Sequence, residues 1–266
     1  MGRSLKGALG GHELLPLDLP EWDITEGRTA AHIVRWAPDL VIHAAAMTDV
    51  DGCELDPEAA YHVNVEGTRN MATACQESGA AMVYISTDYV FDGSKEGPYL
   101  EEDEPHPLNV YGRSKLAGEE YVQGLLAKFY IVRSAWLYGP GGKNFVEKVL
   151  KLAEEREGLY MVTTEVGSPT YTHDLAEAIA GLIEWPEYGI YHLVNEGSCS
   201  RYQFAKKVLE LAGRGDFPLH PSQGYPRAAK VPPHAVLKNR RAARLGIRLR
   251  PWPEALEAYF SERGRG

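Results

Sequence analysis

The feature that most constrains this chain is an alternation along its length. Short apolar, β-rich runs at residues 40–44, 81–85, 130–132 and 190–194 are separated by longer stretches of helical spacing at 29–36, 57–78, 116–126, 145–156 and 174–183. Consecutive strands kept apart by a helix cannot close as hairpins; they need crossovers, which yield parallel strands with helices on the sheet faces. The chain is therefore predicted to be α/β, with a doubly wound, mainly parallel sheet. A helix over residues 2–9 should stop at Gly10-Gly11, and a short strand is expected over 13–17 with Asp18 at its end. A further strand is expected over 159–162 and a helix over 202–212, and the Pro- and Arg-rich remainder reads as an irregular lobe. Residues 1–140 with 171–195 form the sheet domain in this reading, and 141–170 with 196–266 a smaller C-terminal lobe.

Composition narrows the function classes. With 266 residues, 44% hydrophobic and 24% charged, the chain can bury a substantial core, and no run approaches the roughly 20 apolar residues of a membrane span. Residues 1–10 contain no apolar run of signal-peptide length, so a cytoplasmic protein is expected. A net charge of −9 without a long Lys/Arg run argues against nucleic acid as a partner. One basic stretch, Lys238, Arg240, Arg241, Arg244, Arg248 and Arg250, reads either as a solvated helix face or as a contact for a diphosphate. Cys53, Cys75 and Cys199 have no metal-ligand spacing, no local His/Cys/Asp cluster calls for a metal, and the odd cysteine count fits a reducing compartment.

Ligands of parallel sheets bind beyond the carboxyl ends of the strands, which directs attention to Ser86, Thr87 and Asp88. Tyr111 and Lys115, four residues apart, share one helix face. A phenol is a poor acid at neutral pH unless a cation favours its ionised form, and a lysine one turn away supplies that cation. Tyr111 could then shuttle a proton while the Thr87 hydroxyl holds an oxygen on which negative charge develops. A Tyr-x-x-x-Lys pair alone is weak, since surface helices carry it by chance.

Its surroundings are specific. Ser86-Thr87-Asp88-Tyr89-Val90-Phe91-Asp92-Gly93 and Pro107-Leu108-Asn109-Val110-Tyr111-Gly112-Arg113-Ser114-Lys115-Leu116-Ala117-Gly118-Glu119 resemble signature blocks of the dTDP-4-dehydrorhamnose reductases, in the extended short-chain dehydrogenase/reductase class. The resemblance continues through Val41-Ile42-His43-Ala44-Ala45-Ala46 with Thr48, Arg133-Ser134-Ala135-Trp136-Leu137-Tyr138-Gly139, Gly142-Lys143-Asn144-Phe145 and Gly167-Ser168-Pro169-Thr170. It implies a Rossmann-like dinucleotide domain with a C-terminal substrate lobe. The implied reaction reduces the 4-keto group of dTDP-4-dehydro-L-rhamnose, with hydride from NADP(H) or NAD(H). By position, Tyr111 would be the proton donor, Lys115 its partner and a ribose ligand, and Thr87 the tuning hydroxyl. Asp88 and Trp136 would touch the dTDP-sugar, while Asp18, Asp23, Ile24, Ala44, Ala45, Ala46 and Thr48, with Tyr111 and Lys115, would line the dinucleotide. Asp also caps helices and shapes turns, and Trp also fills cores, so both kinds of role stay open for Asp18, Asp23 and Trp136. An acid at a strand end favours NADH over NADPH, yet related reductases tolerate both. A homodimer is a further expectation of the resemblance.

Two departures accompany the resemblance. Aligning residues 2–5 with the end of the family's glycine-rich turn leaves none for its first strand, so the sheet is expected to lack that strand and to bind dinucleotide weakly. The block Arg227 to Ala235 differs from a family segment richer in Arg-Pro and ending in Ser. Another nucleotide-sugar reductase, an epimerase and a non-catalytic regulatory subunit of the same fold are the alternatives.

Overall fold

The computed structural model describes residues 1–142 and 144–263; Lys143 of the Gly142 to Phe145 motif lies outside them. The chain opens with α1 (Gly2–Ala8), and after irregular backbone come α2 (Gly27–Trp36) and β1 (Leu40–His43). Next follow α3 (Val50–Leu55), α4 (Pro57–Tyr61), a π-helical turn over His62–Gly67 and α5 (Thr68–Ser78). β2 (Ala81–Thr87) runs into a 3-10 turn at Asp88–Val90, before α6 (Val110–Leu125) and β3 (Phe129–Ser134). The second half contains β4 (Leu137–Tyr138), α7 (Phe145–Glu155), β5 (Leu159–Val162), β6 (Val166–Gly167), β7 (Thr170–Tyr171), α8 (Thr172–Ile183) and β8 (Gly189–His192). It ends with β9 (Cys199–Ser200), α9 (Arg201–Leu211), β10 (Leu219–Ser222), α10 (Arg240–Arg244) and α11 (Trp252–Arg263).

The main sheet has the order β1-β2-β3-β8, and all its pairings are parallel, in agreement with the alternation in the sequence. Successive side chains of a strand point to opposite faces, and here that alternation sorts the core in two. Val83, Tyr130, Val132 and Tyr191 face Leu5 and Leu9 around α1 together with Leu175 and Ile179 of α8. Met82, Tyr84 and Ile131 face Ile33 of α2, Met71 and Cys75 of α5, and Val122 of α6. A third cluster, built from Tyr138, Val146, Val149, Tyr171, Phe204, Val208, Leu256 and Tyr259, joins α7, α9 and α11 to the short strands of the second half.

Several sequence expectations need correction. Residues 13–17 form no strand, so Asp18 ends none; Pro16 lacks a ladder donor, and this exposed stretch has no neighbouring strand to pair with. Residues 57–78 do run as one continuous helical stretch, begun where Asp56 accepts the Ala59 N–H, and the unforeseen detail is the π-helical turn at His62–Gly67 between α4 and α5. The tail is more regular than expected, because Ala255, Leu256 and Tyr259 form a helical stripe that buries α11 in the third cluster. β1 is an edge of the main sheet, paired among the described residues with β2 alone.

Candidate active site

The catalytic candidates meet where β2 ends and α6 begins. Thr87 closes β2, and Ser86, Thr87 and Asp88 are 5%, 5% and 2% exposed. Asn109 caps α6 by accepting the Gly112 N–H at 2.8 Å, and its amide donates to the Lys230 carbonyl at 2.7 Å, tying the first turn to the C-terminal segment. Gly112 permits the close approach: a Cβ there would lie 2.2 Å from the Tyr89 carbonyl oxygen. One turn of helix then brings Tyr111 and Lys115 to the face that meets Thr87 and Tyr84.

Electrostatics give these groups distinct states. Burial pushes the Tyr111 phenol well above its ordinary value, opposed by a side-chain hydrogen bond with Thr87. That reverses the sequence expectation of a phenol lowered by Lys115, because desolvation is the larger effect. Burial brings the Lys115 ammonium down to about 7, opposed by the Glu119 carboxylate. Its Nζ lies 4.0 Å from the Tyr84 ring centroid, over the ring face. Asp88 rises to about 7 through burial, opposed by its hydrogen bond from Thr87; that bond is 3.0 Å to Oδ1, while the buried Oδ2 has no partner.

The loop after β1 borders this cluster. Ala44, Ala45 and Thr48 are exposed and Ala46 is partly buried, which leaves a wall of small side chains beyond a strand end. Asn64, which the sequence reading missed, pins the loop: it accepts the Met47 N–H at 2.8 Å and donates to the Met47 carbonyl at 3.1 Å and to Ser114 at 3.0 Å. A polar residue in an otherwise helical run was its only signal. Exposed Asp18 accepts the Leu19 N–H, and Asp23 accepts the Thr25 N–H and hydroxyl, so each makes a local turn. The half-buried Ile24 packs against Gly67, and its carbonyl accepts from Asn70.

On the opposite side Trp136 follows β3 with φ 47°, and the Arg201 guanidinium carbon lies 3.5 Å from its ring centroid. The tryptophan is neither wholly core nor free, since it borders the third cluster and the cluster around Phe91 and Tyr99. Arg201 lies 3.6 Å from Glu165, which is 4.0 Å from Arg227, and Arg227 donates twice to Asp51 at 3.2 Å. The positive charge of Arg201 opposes the rise of Asp88 and Tyr89, and that of Arg227 opposes the rise of Tyr89. Sequence reasoning singles out the block that Arg227 opens but not the pairing of these four residues. It had weighed a diphosphate contact at the later basic stretch, but there Arg240 pairs with Glu102, Arg241 donates to the Ile190 and Tyr188 carbonyls, and Arg250 binds Asp174.

The lining fits a nicotinamide dinucleotide on two observations: the exposed alanines leave room against backbone at the carboxyl end of β1, and the buried Lys115 and the partly buried Tyr111 stand beside them. Comparison with known proteins agrees. The family model described as the RmlD substrate binding domain matches residues 1–264. The spore coat polysaccharide biosynthesis protein SpsK of Bacillus subtilis is 41% identical over 98% of this chain and 92% of its own length. A dTDP-4-dehydrorhamnose reductase structure from Clostridium acetobutylicum superposes with a TM-score of 0.94 at 38% identity, covering 99% of this chain and 95% of that one. One from Bacillus anthracis, in complex with NADP, gives 0.92 at 39% identity over 98% and 95%. The Thr87, Tyr111 and Lys115 grouping, the parallel sheet beneath it and these likenesses agree that the chain belongs to the dTDP-4-dehydrorhamnose reductase family.

Proposed function

We propose that this chain reduces the 4-keto group of dTDP-4-dehydro-L-rhamnose to give dTDP-L-rhamnose, using NADPH or NADH. The observation that carries the reading is the meeting of Thr87, Tyr111 and Lys115 beyond the carboxyl end of β2, beside the exposed alanines that follow β1. When bound, the reduced nicotinamide supplies the hydride. Tyr111 and Lys115, with Ala44, Ala45, Ala46 and Thr48, are the residues that would hold it; the local turns made by Asp18 and Asp23 offer less support for those two and for Ile24.

Tyr111 gives its proton to the carbonyl oxygen as that oxygen becomes an alkoxide. Its raised pKa suits a donor that stays protonated until a stronger base forms beside it. Lys115 in its charged form stabilises the phenolate left behind. In this reading the Thr87 hydroxyl orients the reacting oxygen, Asp88, whose buried Oδ2 has no partner, would accept a sugar hydroxyl, and Trp136 would offer an aromatic surface to the nucleotide sugar. The division into a sheet domain and a substrate lobe belongs to this proposal, as does the cytoplasm, where reduced nicotinamide is available. Among the described residues no helix is long and apolar enough to cross a membrane. Exposed Leu55, Tyr61 and Tyr121, on three helices in mutual contact, support a homodimer, which light scattering would test.

The test is turnover of dTDP-4-dehydro-L-rhamnose with NADPH and with NADH, followed by product analysis. One nicotinamide oxidised per dTDP-L-rhamnose formed supports the reductase. Interconversion of sugars without net oxidation would make it an epimerase, and no turnover with an intact fold would favour a non-catalytic role.

A further inference from the structure

Below the reacting groups lies a buried ionic cluster that the mechanism above does not use. Glu119, four residues after Lys115 on the same face of α6, is 0% exposed, and Arg133 of β3 is 2% exposed. Arg133 Nε and Nη2 donate to the Glu119 carboxylate at 3.0 and 2.6 Å, and the Ser86 hydroxyl donates to it at 2.5 Å. A buried pair of this kind is weak evidence for stability, because desolvation offsets much of the attraction and apolar residues of similar volume do as well. Its position is more telling: the carboxylate held by Arg133 lies one helical turn from the buried Lys115, whose charged form it favours.

We infer that Glu119, held by Arg133 and Ser86, is a positioning residue that favours the cationic form of Lys115 against burial, so that the ammonium is available when Tyr111 gives up its proton. The inference rests on the reductase reading for its purpose, though not for its test. Lys115 is 2% exposed, with its ammonium over the Tyr84 ring, and among the described hydrogen bonds none engages Nζ. Without a nearby negative charge, burial would favour the neutral amine at physiological pH.

The other groups around Lys115 do not replace Glu119. His43 of β1 is fully enclosed, neutral, and hydrogen-bonded to Thr68 at 3.1 Å. Tyr84 of β2 and Tyr111 of α6 are phenols whose pKa values burial raises. The π-helical turn and α5 contribute the uncharged Asn64 and Thr68, and from α3 Glu54 is engaged by Arg113 and the Val110 N–H. Asp88 lies beyond Thr87 and is drawn toward its protonated form by burial. Arg133 has a double effect: it fixes the carboxylate geometry and attenuates its charge. The two ends of the cluster therefore pull the lysine in opposite directions.

The test reads Lys115 directly, by following its 15Nζ resonance against pH in the 15N-lysine-labelled full chain, assigned from the spectrum of Lys115→Met. Glu119→Gln should lower the midpoint by about one pH unit or more, Arg133→Met should raise it, and Glu119→Asp should restore most of the wild-type value. In the reductase assay the limb that follows Lys115 should move with the midpoint. Near-ultraviolet circular dichroism identifies any variant that does not fold, and where Glu119→Gln is the one that fails, the double variant Glu119→Gln/Arg133→Met, which leaves no unpaired buried charge, stands in for it with a midpoint below that of Arg133→Met. A midpoint that Glu119→Gln leaves unchanged, a double variant whose midpoint is no lower than that of Arg133→Met, or shifts of the same sign from both single variants would overturn the inference. If the wild-type chain shows no turnover, the reductase reading fails while the titration still decides the role of Glu119.

Discussion

The guanidinium of Arg201, at the start of α9, is stacked on the Trp136 indole at 3.5 Å, and Trp136 reaches that position through a left-handed backbone at φ 47°. A non-glycine residue in this region costs free energy, which the surrounding structure offsets by enclosing the ring between Arg201 and Gly167. The pair lies on the side of the site away from the small-residue loop, where a nucleotide sugar would be gripped rather than reduced. Arg201→Ala is expected to raise KM for the sugar nucleotide about tenfold, ~1.4 kcal/mol, with kcat nearly unchanged. Steady-state kinetics at saturating NADPH check this; an equal fall in kcat would place Arg201 at the reacting centre instead.

Tyr111→Phe keeps the ring against Cys53 and Val110 but removes the proton. Turnover should drop about 10²- to 10⁴-fold, while the enhancement of NADPH fluorescence on binding is retained. Unchanged turnover would remove Tyr111 from the acid's role.

Dinucleotide affinity should be modest. β1 is a sheet edge among the described residues, and the proposed dinucleotide contacts are confined to the residue 44–48 loop, Tyr111 and Lys115. A fluorescence titration of the 266-residue chain is expected to give micromolar or weaker binding of NADPH and NADH; sub-micromolar binding would mean that other backbone groups hold the pyrophosphate.

Acid should unfold the chain through its histidines. Burial lowers His43 and His192 from 6.5 to about 3, so between those values the folded state binds fewer protons than the unfolded one. Their contribution is fully present above pH 6.5 and is lost as pH falls toward 3. Asp88, raised from 3.8 to about 7, acts in the opposite sense: its burial costs stability as pH rises through that window. Urea midpoints measured from pH 7 down to about 4 should therefore fall less steeply in His192→Met than in the wild type, with Asp88 common to both. Parallel profiles would show that His192 does not drive the loss.

What the sequence made legible followed from locality. Thr87, Asp88, Tyr111 and Lys115 stand in short contiguous blocks, and the two sheet faces follow from alternating residues such as Met82, Val83 and Tyr84. Asp23 was ambiguous because an aspartate accepts backbone N–H groups in a turn as readily as it accepts a ribose hydroxyl, and here it accepts from Thr25. The Asp51–Arg227 contact joins residues 176 positions apart, and no periodicity announces such a pairing. Residues 13–17 misled for the converse reason: Leu14, Leu15 and Leu17 have strand-like composition, yet a strand is completed by a neighbour's ladder, which single-chain patterning cannot supply.

Asn109 caps the helix bearing Tyr111, the proposed proton donor, while its amide donates to the carbonyl of Lys230 in the segment that also carries Arg227. Only Val110 separates that cap from the backbone of Tyr111. If residues 227–235 grip the sugar nucleotide and Tyr111 delivers the proton as proposed, the two tasks are mechanically coupled, and changes along that segment are expected to alter KM and kcat together even where no side chain there touches the reacting carbon.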